Sequence, residues 1–111
     1  PAAIVVVDAS RGLDEPGCAA LHAAVADRVP FVIVAVNKMD LVGYEYEAFK
    51  TVRAQVAAVA ASAHAVGIAV VPVSARFGDN VLHRGDRIDW YPGRTLHDFL
   101  AATLRETRHA R

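Results

Sequence analysis

The chain has 111 residues, 54% of them apolar, and its 12 Lys+Arg balance 12 Asp+Glu. This is room for one domain with a modest core, and zero formal net charge gives no bulk drive toward nucleic acid or an anionic membrane. The lone cysteine, Cys18, excludes an internal disulfide and favours a cytoplasmic setting, and no apolar run reaches membrane-spanning length.

In chain order, residues 2–7 (AAIVVV) are the first apolar run and end at Asp8-Ala9. The chain opens directly in this strand-like run, with no basic-then-apolar pattern before it, which reads as a segment of something longer. Residues 11–17 carry turn chemistry. An Ala-rich helix is expected over 18–29, with Leu21 and Val25 four apart, and Pro30 blocks its continuation. Residues 31–36 (FVIVAV) are all apolar, the pattern of a parallel strand buried on both faces, and 37–44 read as a loop.

A long helix is expected from 45 to about 65. Phe49, Val52, Val56, Val59, Ala63 and Val66 form its apolar stripe, and Gly67 is its stop. Residues 68–73 are a third strand, in which Pro72 is tolerable only if its missing N–H faces no partner. Residues 74–93 are a long loop with Trp90 and Tyr91 as anchors over the last helix. That helix runs from 96 to about 108. Thr95 with Asp98 makes a capping-box-like start, and Leu96, Phe99, Leu100 and Leu104 make the stripe.

The alternation predicts an α/β fold in three layers, with three parallel strands in the order 1-2-3 and right-handed crossovers. The first two helices cover one face and the last helix the other. Residues 3–7 then form an unpaired apolar edge, a template for self-association.

Chemistry concentrates where strands end, because ligands of open α/β sheets sit outside the carboxyl ends of the strands. Asn37, Lys38 and Asp40 follow the second strand, and Ser74, Ala75 and Arg76 follow the third. Asn37 and Asp40 also suit a plain turn, but the second polar loop beside them favours a ligand site. Asp8 reads as a turn or capping residue. His22, His64, His83, His97 and His109 show no metal-ligand spacing and read as structural or solvated. Cys18 reads as a small buried apolar residue rather than a nucleophile. Residues 83–87 read as a solvated loop, and 105–111 as a helix end with cations near its negative pole.

Asn37-Lys38-Met39-Asp40 and Ser74-Ala75-Arg76 resemble the guanine-specificity loops of P-loop GTPases. Guanine offers two donors, N1–H and the N2 amino group, and one acceptor, O6. The resemblance implies that Asp40 accepts both donors in a charge-assisted bidentate bond and that adenine, lacking the pair, is rejected. It implies that Asn37 reaches N7 and braces the loops and that the Lys38 stem lies over the base. The Ala75 N–H then donates to O6, and Ser74 holds its loop against Asp40.

The phrases VVVDASRGL, VAVNKMDLVGY, VPVSARFGDNV and DWYPGRTL, in this order, are similar to translation-factor-like GTPases. They are most similar to the GTPase (large) subunit of bacterial ATP sulfurylase, a sulfate adenylyltransferase. The resemblance implies that residues 1–111 are the second half of that GTPase domain. It implies GTP or GDP as ligand, with Mg²⁺ only in the complete parent domain, and a small ATP-pyrophosphatase-like subunit as partner. The parent would couple GTP hydrolysis to formation of adenosine 5′-phosphosulfate from ATP and sulfate.

The polar stretch that the family carries after Arg11-Gly12-Leu13 is replaced here by Asp14-Glu15-Pro16-Gly17-Cys18-Ala19-Ala20, with His22 displaced. No G-x-x-x-x-G-K-[ST] occurs, and the only lysines are Lys38 and Lys50. In the family the phosphate loop, the switch threonine and the D-x-x-G segment lie upstream of the first strand. The alternatives are a segment of an elongation-factor-like GTPase and a non-catalytic remnant that serves as an interaction module.

Overall fold

The computed structural model describes residues 2–27, 31–62 and 67–109. Strands β1 (Ala2–Asp8), β2 (Phe31–Asn37) and β3 (Ile68–Pro72) pair in parallel in the order β1-β2-β3. Helices α1 (Glu15–Ala26), α2 (Tyr46–Ser62) and α3 (Leu96–His109) complete three strand–helix units. The expectations on Pro30, Ala63, His64 and Val66 lie outside the described residues, as do those on the side chains of Leu104 and residues 105–111.

The middle strand is dry on both faces. Val32, Val34 and Val36 join Val5, Val7, Leu21, Phe49, Val52 and Val56 under α1 and α2. Ile33 and Ala35 join Val71, Val73, Ile88 and Tyr91, with Leu96, Phe99 and Leu100 of α3 packed against them. The continuous apolar run of β2 is therefore divided by its period of two between two cores. The edge strand β1 is covered on one face only: Ile4 and Val6, which share a face with Ile33 and Ala35, are 43% and 62% exposed. Pro72 fits β3 because the Val73 N–H donates to Val36 O at 2.9 Å. Alternation turns the Pro72 nitrogen away from β2, toward the unpaired side.

Three expectations are corrected. Helix α1 begins at Glu15, not Cys18. Asp14 caps it, accepting from the Gly17 N–H at 2.9 Å, and Pro16 stands in the first turn, where its missing N–H costs nothing. Cys18 on this helix is half-buried. Trp90 is not an anchor on the α3 side alone: it packs against both cores, its ring meets Tyr46 and Phe49 of α2 at 5.3 and 5.4 Å between centroids, and its Nε1–H donates to Tyr44 O at 2.9 Å. Residues 83–87 are more than a solvated loop, because Arg84 donates to Tyr91 O and Arg87 stacks over Tyr44 and Phe77.

Candidate functional site

Two loops leave the carboxyl ends of β2 and β3 side by side. Met39 turns the first one inward. Its side chain is fully buried, and its N–H donates to Val73 O at 3.2 Å. Burying Met39 directs its neighbours outward, and Met39–Val42 close a single 3-10 turn. Lys38 enters that turn at φ +64° and Tyr44 leaves it at φ +57°, positions that cost a side-chain-bearing residue about 1 kcal/mol or more. The packing of Met39 and the hydrogen bonds of the loop hold these conformations.

The six residues singled out from the sequence come together here. Ser74, fully buried, donates from Oγ to Asp40 Oδ1 at 2.8 Å. The Ala75 N–H donates to Asn37 Oδ1 at 2.9 Å. Lys38 reaches Asp8 Oδ2 with its Nζ at 3.2 Å. Arg76 lies with its guanidinium 5.2 Å from the Phe77 ring centroid. Asn37, Lys38, Asp40, Leu41 and Arg76 line an open cleft of about 210 Å³. A carboxylate offers about four lone-pair positions, so the bond from Ser74 leaves Asp40 able to accept from two further donors. The Ala75 N–H is engaged by Asn37 and must exchange partners before it can serve a ligand carbonyl.

Asp8 has a larger part than a turn residue. Its Oδ1 accepts from the Ser10 N–H at 2.8 Å and the Ser10 hydroxyl at 2.6 Å, while Oδ2 faces Lys38. The strand register sets Asp8 abreast of Asn37, which brings a carboxylate from β1 to the loop after β2. The Ser10 hydroxyl, assisted by the Ser10 N–H and Lys38, holds the Asp8 carboxyl down from 3.8 to about 2. A depressed folded-state value stabilises the fold above the ordinary carboxylate range, and that contribution is lost as pH falls from about 4 toward 2. After solvent screening, with Lys38 half exposed, it amounts to about 1 kcal/mol. Asp8→Asn should therefore be less stable than wild type at pH 7 by about that amount and nearly equal to it at pH 2, as read by urea unfolding.

A second cluster escaped the sequence reading. Tyr44 Oη donates to Asp79 Oδ2 at 2.8 Å, and Arg87 donates to Tyr44 Oη at 3.0 Å while standing 3.8 Å from Asp79. Asn80, fully buried at φ +59°, donates from Nδ2 to Pro72 O at 2.8 Å, and its carbonyl receives the Leu96 N–H. Its Oδ1 has no partner among the described residues. Gly85 is required beside Asp79: at φ +74°, a Cβ there would stand 2.6 Å from Asp79 Oδ1. The signal in the sequence is slight, since Gly78-Asp79-Asn80 has the composition of any solvated turn. Among the described residues no three His, Cys, Asp or Glu side chains converge to hold a metal ion.

Residues 2–106 match the elongation factor Tu GTP binding domain. The chain is 40% identical over 99 residues to sulfate adenylyltransferase subunit 1 of Aeromonas hydrophila, covering 88% of this chain and 21% of that protein. It is 37% identical over 101 residues to the bifunctional enzyme CysN/CysC of Xylella fastidiosa, covering 91% and 16%. It is 36% identical over 99 residues to elongation factor 1-alpha of Thermococcus gammatolerans, covering 89% and 23%. The chain thus spans between 16% and 23% of the length of these relatives. Among solved structures, Sup35 complexed with GMPPNP superimposes with a TM-score of 0.70 at 26% identity, over 87% of this chain and 27% of that one.

Proposed function

We propose a function from one premise: the chain belongs to the elongation factor Tu GTP binding domain family. Residues 1–111 are, in this reading, the base-reading half of a GTPase domain and take the guanine of GTP or GDP. The observation that carries it is the half-buried Asp40 carboxylate, held by buried Ser74 where two adjacent parallel strands end, with the Ala75 N–H in the facing loop. Asp40 accepts N1–H and the N2 amino group, Ala75 serves O6 on release from Asn37, and Asn37 then turns to N7. Lys38 and Arg76 flank the base from either side of the cleft. Mg²⁺ is proposed as a cofactor of the complete parent domain only.

The parent protein is proposed to be the cytoplasmic GTPase subunit of a sulfate adenylyltransferase, partnered by a small ATP-pyrophosphatase-like subunit. Its work is to couple GTP hydrolysis to formation of adenosine 5′-phosphosulfate and pyrophosphate from ATP and sulfate. The two relatives that carry sulfate-activation names support this assignment. The 36% identity to an elongation factor 1-alpha supports the second reading, a translation-factor GTPase. No described helix is long and apolar enough to cross a membrane.

The test is a ¹H–¹⁵N titration of the 111-residue chain with guanosine and with adenosine. Guanosine should move the amide signals of residues 37–41 and 74–76, and adenosine should leave them in place. Equal shifts with both nucleosides would remove the guanine assignment.

For the 111-residue chain taken alone, self-association through β1 is proposed from its exposed Ile4 and Val6 and from the side of β1 that pairs with no other described strand. Sedimentation should show concentration-dependent dimers, and Val6→Lys should abolish them. A wild-type chain that stays monomeric at high concentration would refute the edge contact.

A further inference from the structure

The two loops of the guanine site are tied together at three places: at their roots, where the Met39 N–H donates to Val73 O at 3.2 Å, at the base end, and at the far end. At the base end the ties are Ser74 Oγ to Asp40 Oδ1 and Ala75 N–H to Asn37 Oδ1. The first persists while the Asp40 carboxylate takes on two more donors, but the second is given up, because the Ala75 N–H must leave Asn37 to serve a bound guanine. At the far end the tie is Tyr44 Oη to Asp79 Oδ2 at 2.8 Å, and it shares no atom with the proposed base contacts.

Each partner of that far tie closes one of the two loops. Tyr44 ends the loop after β2: its N–H donates to Met39 O at 2.8 Å and its carbonyl receives Trp90 Nε1–H at 2.9 Å. Asp79 ends the turn after β3: its carbonyl receives the Ser74 N–H at 3.1 Å. Asp79 is 9% exposed, so its carboxylate works where water competes weakly. Arg87 covers the pair, stacking 5.5 Å from the Tyr44 ring centroid and donating to its hydroxyl.

We propose that Tyr44 and Asp79 are positioning residues for guanine recognition, a strut that helps keep the Asp40 loop and the Ala75 loop at base-reading separation while the Ala75 N–H exchanges Asn37 for the ligand. This inference rests on the guanine reading given above. Neither residue touches the base. Their effect is pre-organisation: without the strut, the loops must be ordered at the moment of binding. The bond that suffers first is the second Asp40 bond, to the N2 amino group, because it needs the carboxylate held squarely against a base already fixed on the Ala75 side.

Inosine isolates that bond, since hypoxanthine has N1–H and O6 but no N2 amino group. The experiment compares guanosine and inosine affinities by ¹H–¹⁵N titration in the 111-residue chain, its Tyr44→Phe variant and its Asp79→Asn variant. Tyr44→Phe removes one hydroxyl and keeps the ring under Arg87. Asp79→Asn keeps an acceptor oxygen for the Tyr44 hydroxyl. The expected result is that Tyr44→Phe weakens guanosine binding by about 3- to 10-fold, the range of one net hydrogen bond. Inosine binding should change by less than about half that factor, so the guanosine-to-inosine ratio falls, while Asp79→Asn keeps the ratio within about twofold. A purely structural role would lower both affinities together and leave the ratio unchanged, which overturns the strut. An Asp79→Asn ratio as low as that of Tyr44→Phe overturns it as well, because the hydroxyl bond would not be the holding contact. A wild-type chain with no preference for guanosine over inosine overturns the guanine reading itself and the strut with it.

Discussion

Asp40→Asn should turn the chain's preference from guanosine to xanthosine. Asp40 presents only acceptors, and guanine answers with the donors N1–H and N2 amino. An amide at this position keeps one acceptor and gains one donor. That pattern suits N1–H beside the extra carbonyl of xanthine and sets a donor against the N2 amino group of guanine. Losing the charge-assisted pair costs about 1.5–3 kcal/mol, or roughly 10- to 100-fold in guanosine affinity. The Ser74 hydroxyl finds an acceptor in either side chain, so the loop bond at 2.8 Å survives the change. Titration with guanosine and xanthosine decides it, and a variant that still prefers guanosine by the wild-type ratio would remove Asp40 from the base site.

What is legible in the sequence follows from the range of the interactions involved. β2 can be read because six consecutive apolar residues admit few other environments, and both its faces are buried. Its neighbours follow from the alternation of elements, as does the placing of α1 and α2 against one core and α3 against the other. The start of α1 is hidden because Pro16 and Gly17 are turn formers by composition. They are helical here because Asp14 supplies the cap, a matter of one side-chain bond. The Lys38–Asp8 pair is out of reach for a different reason. Thirty residues separate the two in sequence, and only the register Asp8↔Asn37 makes them neighbours. The Tyr44–Asp79 bond and the burial of Asn80 depend on how 20 loop residues fold back on β3 and α2, which no local pattern encodes. Trp90 is an anchor, as its size in a long loop implies, but its direction is set by a free carbonyl on Tyr44 and two rings on α2.

The 111-residue chain by itself should bind guanine nucleosides weakly and should not turn GTP over. Phosphoryl transfer needs the γ-phosphate held in line and its charge neutralised by a phosphate loop, a lysine and Mg²⁺. Lys38 is committed elsewhere, with its Nζ 3.2 Å from Asp8 Oδ2 at the side of the cleft. Lys50, the other lysine, is exposed on α2, well away from any glycine-rich turn. The cleft of about 210 Å³ has room for a base. Guanosine, GDP and GTP should accordingly bind within about threefold of one another, since the phosphates make no hydrogen bond worth about 1 kcal/mol, and Mg²⁺ should not alter the order. Calorimetry with the three ligands, with and without Mg²⁺, and a phosphate-release assay against a protein-free control provide the measurement. A Mg²⁺-dependent preference for GTP, or release above the control, would mean that residues read here as scaffold, Arg11 first among them, are the ones that meet the phosphates.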